Sequence, residues 1–152
     1  QDNVRILSGL YGLLRPLDTI QPYRLEMGSI LKNSSGNNLY DFWSERVSKR
    51  LAIELKEKKS NSIINLASNE YSKVLNKNIL NSTIITPQFL EKRKSEFKNI
   101  SFFSKKARGA MARFIIINRI ETPSDIRAFD LENYRYRPEL SSEHQPVFTR
   151  ES

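Results

Sequence analysis

FFSKKARGAMARFIIINRI, Phe102 to Ile120, reads as an amphipathic helix that carries five cations beside a glycine and three alanines. Setting Lys105 at zero and advancing about 100° per residue places Ala107, Ala110, Met111, Phe114 and Ile115 between about 140° and 280°. That arc is the expected core face. Gly109, Ala112 and Ile116 fall on the opposite side, among Lys105, Lys106, Arg108, Arg113 and Arg119. The small residues make a shallow floor and the cations its walls, a shape that lets a phosphate come close to the backbone. Tight packing of Gly109 and Ala112 on another element would give the same pattern, so both readings stand. Ser104 is read as the N-cap, leaving free N–H groups at the helix start.

Working outward, FKNISFF (Phe97 to Phe103) reads as a strand feeding this helix, and TPSD (Thr122 to Asp125) as a capping box opening a last short helix. The tail YRYRPELSSEHQPVFTR is irregular with one edge strand. Upstream, SIINLA and STIITP are short strands, and NEYSKVL is a short helix between them. Leu39, Trp43, Val47, Leu51 and Leu55 recur at i, i+4 and predict an amphipathic helix to about Lys58, with Trp43 as a core anchor rather than a stacking surface. NSSGNN is a loop. VRILSG reads as a buried strand, followed by a short helical turn stopped at Arg15-Pro16. Strands and helices alternate, so the class is mixed α/β, read as one domain over 1–152 with no internal boundary. A buried strand so near the first residue lacks upstream neighbours, and the expectation is a fragment of a longer chain.

The formal charge is +8, and the stretch from Glu91 to Arg119 holds nine cations against two acids, so nearly all the excess lies there. A concentrated positive field favours polyanions such as nucleic acid or phosphorylated ligands, and a solvated basic face is the plainer alternative. The chain has no cysteine, which excludes disulfides, thiolate nucleophiles and thiolate metal sites. No secretory signal or membrane-length apolar run is visible, and a cytoplasmic protein is expected. The phosphate-cradling and dinucleotide glycine motifs are absent, and the single histidine, His144, lies in the polar tail. A His-based triad or two-histidine metal site is therefore not expected, nor is a cofactor.

Two further stretches carry polar chemistry. In SGLYGLLRPLDTIQPYRLEMG, Arg15, Asp18, Tyr23, Arg24 and Glu26 crowd into irregular chain. The arginines suit phosphate or carboxylate, with Asp18 or Glu26 to orient them, and an internal Arg–carboxylate pair that locks the loop fits equally. In NLASNEY, Asn65, Ser68, Asn69 and Glu70 follow a buried strand, where open α/β sheets place their sites. Glu70 suits an acid or base; Ser68 or Asn69 is read as the cap of the next helix.

Together, RILSGLYGLLRPLDTIQPYRLEMG, NLASNEY and FFSKKARGAMARFIIINRI resemble the peroxide stress resistance protein YaaA family, and LYDFW and the terminal F-x-R (Phe148 to Arg150) agree. The resemblance implies a bacterial cytoplasmic protein that limits hydrogen peroxide damage and keeps free intracellular iron low. It implies a compact cantaloupe-like α/β fold that binds duplex DNA, in members about a hundred residues longer at the N-terminus. The family's helix-hairpin-helix element belongs to that N-terminal part. What the resemblance leaves to this chain is a positive cleft wall of Lys105, Lys106, Arg108 and Arg113 with Arg15 and Arg24, beside Tyr23, Asn65, Ser68 and Gly109. The partner expected is duplex DNA or another phosphate-bearing ligand, with no membrane and no protein partner. An enzyme acting on nucleic acid through Glu26 or Glu70 is the second reading, and direct iron sequestration by scattered carboxylates the third.

Overall fold

The computed structural model describes residues 1–151. The fold is mixed α/β, and the chain clusters into two compact units, Gln1–Asn61 with Ala67–Ser82, and Ser62–Leu66 with the chain from Thr83 onward.

The first unit opens with an antiparallel hairpin, β1 (Ile6–Ser8) on β2 (Gly12–Leu14), in place of the expected strand and helical turn. The difference lies at Gly12, whose φ of +73° takes the chain through a left-handed position that a helical turn does not contain. Ile6 and Leu7 are not buried, so the expected buried strand is a two-stranded ribbon at the surface. Helix α1 (Leu39–Glu57) matches its periodicity; Asn38 caps it by accepting from the Asp41 N–H, and Leu39, Val47 and Leu51 are buried along one face. Trp43 is half-buried, lays its ring on Gly12, and donates its Nε1–H to the Gly9 carbonyl at 2.8 Å. Two one-turn helices follow, α2 (Asn69–Ser72) and α3 (Lys77–Leu80). α3 packs on α1, and the buried Ser48 hydroxyl accepts from the Asn76 N–H at 2.9 Å.

The second unit is built on a four-stranded sheet ordered β6-β5-β8-β7, from β5 (Gln88–Arg93), β6 (Glu96–Lys98), β7 (Arg135–Tyr136) and β8 (Val147–Arg150). A separate parallel pair joins β3 (Ser62–Ile64) to β4 (Thr83–Ile85), and helix α4 (Ser101–Ile117) packs on β5. Phe89 is central to the core. Its ring stacks on Phe148 and meets Phe129 and Tyr134 edge-on, with centroids 5.3 to 5.9 Å apart.

Three local expectations change here. β8 is an interior strand, parallel to β5 and antiparallel to β7, whereas the tail reading gave one edge strand. Its run VFTR is buried at three of four positions, which periodicity in a short polar tail does not reveal. The strand expected over FKNISFF ends at Lys98, and α4 begins three residues before Ser104, with Ile100 at its cap position. Ser104 is therefore inside the helix and buried, and its hydroxyl donates to the Phe89 carbonyl at 3.1 Å. TPSD opens a 3-10 turn, Pro123–Ala128, without a side-chain cap. Among the described residues no helix is long and apolar enough to cross a membrane.

Candidate nucleic-acid interface

α4 presents the two faces its sequence spells out. Ala107 and Met111 are fully buried, and Ala110, Phe114 and Ile115 pack against the same core. On the other side, Lys105, Arg113 and Gly109 are exposed. A Cβ built on Gly109 meets no atom within 4 Å, so this glycine is not there to admit a neighbouring element. Lys105 and Arg113 have no hydrogen-bond or ion-pair partner among the described residues. Lys106 faces Glu132 at 3.6 Å, an exposed pair that a competing anion displaces at little cost.

Arg108 behaves differently from its neighbours. It is half-buried, and it donates from Nη1 to the Leu66 carbonyl at 3.1 Å and from Nε to the Ser104 carbonyl at 3.3 Å. Burial lowers its pKa from the usual arginine value. It fastens α4 to the chain leaving β3, so part of its donor capacity is already used.

Asn65 lies in the same unit and is buried. Its N–H extends the β3–β4 ladder to the Ile85 carbonyl at 2.7 Å, and its side-chain amide donates to Thr86 Oγ1 at 3.3 Å.

The remaining candidates belong to the first unit. Arg15 and Arg24 are exposed and make no ion pair among the described residues. Asp18 does not orient the Arg15 guanidinium; it accepts from the Arg15 backbone N–H at 2.7 Å and closes the turn after β2. Tyr23 joins its hydroxyl to that of buried Ser8 and sets its ring edge-on against Tyr11, 5.4 Å between centroids. Tyr11 in turn accepts from the Gln21 N–H at 3.0 Å. These aromatic residues pin the irregular segment onto the hairpin.

Ser68 caps α2, as its position after the strand suggests, accepting from the Tyr71 N–H. Glu70 accepts the Gly28 N–H at 2.8 Å through Oε1, while its backbone carbonyl accepts from Tyr40 Oη at 2.8 Å. Glu26 is exposed. The Tyr71 pKa is raised, first by burial and then by the nearby charge of Glu70, with smaller effects from Tyr23 and Glu26. Tyr40 is raised by burial and by Glu70. Tyr40 and Tyr71 thus join the candidates that sequence reasoning named; their signal was a tyrosine directly beside an acid, Asp41 and Glu70 respectively.

The family described as peroxide stress protein YaaA matches residues 1–140. This chain belongs to that family. Its relatives include UPF0246 proteins of Marinomonas sp., 53% identical over 150 residues, of Hahella chejuensis, 50% over 151, and of Colwellia psychrerythraea, 53% over 150. Each match covers 99% of this chain but only 57%, 59% and 58% of the relative. This YaaA-family chain therefore spans less than two thirds of the length of the relatives it matches. The long motifs of the first unit and the basic helix of the second both fall within the matched residues.

Proposed function

We propose that this chain serves a peroxide stress protein as a duplex-DNA-binding part, with α4 as its phosphate-contacting element. The observation that carries the reading is the outer face of α4, where Lys105 and Arg113 stand unpaired and Gly109 leaves the backbone open. Lys106 adds to the positive field of this face, and Arg108 sets the helix in place. In the first unit, the exposed Arg15 and Arg24 offer further cations for phosphate. Such contacts read phosphate rather than base sequence. The protein acts in the cytoplasm, where its DNA substrate is exposed to peroxide-derived radicals. The lowering of free iron follows indirectly from that role.

A second reading, an enzyme of nucleic-acid chemistry, draws on the first unit. Glu70 is fixed by the Gly28 N–H at 2.8 Å, Glu26 is exposed, and a carboxylate held in this way suits an acid or base. Incubating the purified protein with intact and oxidised duplex DNA, and scoring both retention and product, separates the two. Retention without product supports binding alone. Turnover that Glu70→Gln or Glu26→Gln abolishes, with retention unchanged, supports the enzyme. No retention on either duplex refutes the DNA-binding reading. Chelatable iron measured in cells with and without the protein tests the iron effect.

A further inference from the structure

β5 has a strand on both sides only at Glu91. β8 pairs with Gln88 to Glu91, and β6 pairs with Glu91 to Arg93. Beyond Glu91 the chain continues as a two-stranded ribbon with no third strand among the described residues, turning through Lys94 and Ser95 between the paired Arg93 and Glu96. Lys92, Arg93, Lys94, Ser95, Glu96 and Lys98 are all exposed and line a surface concavity of about 600 Å³. Lys92 pairs with Glu151 at 3.0 Å and Lys98 with Glu96 at 2.9 Å, whereas the side chains of Arg93 and Lys94 at the tip have no partner among the described residues.

The ribbon is held firmly at its root. Glu91 is buried and ion-paired to Arg150, and the Phe97 ring lies under the Arg137 guanidinium, 5.3 Å from the centroid. Every residue that projects outward is polar. An interface with a folded protein needs an apolar or aromatic anchor at its centre, and insertion into a bilayer needs apolar side chains; the exposed ribbon offers neither. Phosphate contacts need only cations and polar groups on a rigid support. A two-stranded ribbon also matches the width of the DNA major groove.

We infer that the β5–β6 ribbon is a second duplex-DNA contact of this protein, in which Arg93 and Lys94 engage the phosphate backbone. The inference rests on the reading of α4 as a DNA-binding element and adds a separate point of attachment to it. Both cations reach phosphates without losing an internal pair, and Lys92 and Lys98 need only release exposed partners.

The test is fluorescence anisotropy of a labelled duplex of about 20 base pairs, titrated over a salt series with the parent chain, Arg93→Gln/Lys94→Gln and Lys105→Gln/Arg113→Gln. Unaltered circular dichroism melting confirms that each variant folds. The expected result for the ribbon variant is a loss of about tenfold or more at low salt, and a log–log salt slope shallower by about two. A photocrosslinking residue at Ser95 should link to the duplex. If the α4 variant weakens binding while the ribbon variant matches the parent, the ribbon inference is overturned and the α4 reading stands. If the parent binds no duplex, both fall. If the ribbon variant instead loses binding only to anionic phosphatidylglycerol vesicles, the assignment of DNA as partner is overturned.

Discussion

Arg150 closes on Glu91 with Nε and Nη2 each 2.8 Å from one carboxylate oxygen, while Tyr134 donates its hydroxyl to the other. Glu91 and Tyr134 are almost wholly buried, and the Arg150 guanidinium also lies over the rings of Phe103 and Tyr134. A carboxylate taken this far out of water is stabilised only if partners occupy its lone pairs. The F-x-R ending thus has a structural use, since Phe148 enters the core and Arg150 neutralises a carboxylate on the neighbouring strand.

Arg150→Ala should destabilise the protein by about 3 to 5 kcal/mol, because it strands the Glu91 charge in the interior. Glu91→Gln in the same chain should recover part of that loss by removing the charge. Urea unfolding of both variants measures this; an Arg150→Ala loss under about 1 kcal/mol would show that the pair is not buried in solution.

High pH should act on the same cluster. Burial first, and the hydrogen bond to Glu91 next, raise the Tyr134 pKa well above the ordinary phenol value. The unfolded chain releases this proton near about pH 10 and the native state holds it beyond. The contribution is complete below the unfolded pKa and is lost as pH climbs toward the native one. The urea midpoint should therefore fall above about pH 10, and Tyr134→Phe should flatten that part of the decline. An identical slope in the variant would refute the assignment.

Acid should act through Glu54. Burial works to raise its pKa, but Arg5 at 2.7 Å and Arg50 at 2.8 Å outweigh burial and leave it below the usual carboxylate value. The stabilisation is present above the unfolded pKa and is lost as pH falls through the native one. Arg5→Ala should lower the melting temperature at pH 7, and the gap to the parent should narrow as acid takes the pH below the usual carboxylate range. A gap that persists undiminished would place the effect of Arg5 in packing.

Gly12 has no room for a side chain. A Cβ there would lie 2.5 Å from Cζ3 of Trp43, at a φ of +73°. Gly12→Ala should cost at least about 2 kcal/mol, from the left-handed strain and the displaced ring together. The single tryptophan reports it directly, and its emission should shift to the red as the ring leaves the hairpin. Unshifted emission with full stability would refute the contact.

Lys94 should show two opposed effects. Its φ of +55° suits glycine better than a residue that carries a Cβ, so Lys94→Gly should gain about 1 kcal/mol of stability. The same change removes a tip cation and should weaken duplex binding. Parallel melting and anisotropy measurements check both signs, and a rise in affinity would contradict the placement of Lys94 at the phosphate backbone.

The sequence by itself determined α1 and the two faces of α4, because periods of 3.6 residues survive in any window long enough to hold several turns. Leu39, Val47 and Leu51 are buried as their spacing requires, and Gly109 and Lys105 face outward as theirs does. The long motifs that marked the family were likewise legible without coordinates. Short elements were not. β1 and β2 hold three residues each, and nothing in so short a window separates a hairpin from a strand and turn. β8 is interior only because β5 and β7 lie on either side of it, which its own four residues do not encode. The individual roles of charged residues were decided by tertiary structure for the same reason. Arg108 and Arg113 are both arginines on one basic helix, yet the first is clamped to the Leu66 carbonyl and the second is open to solvent. Charge and spacing fix where a guanidinium starts; only the neighbours brought by the rest of the chain fix what it has left to bind.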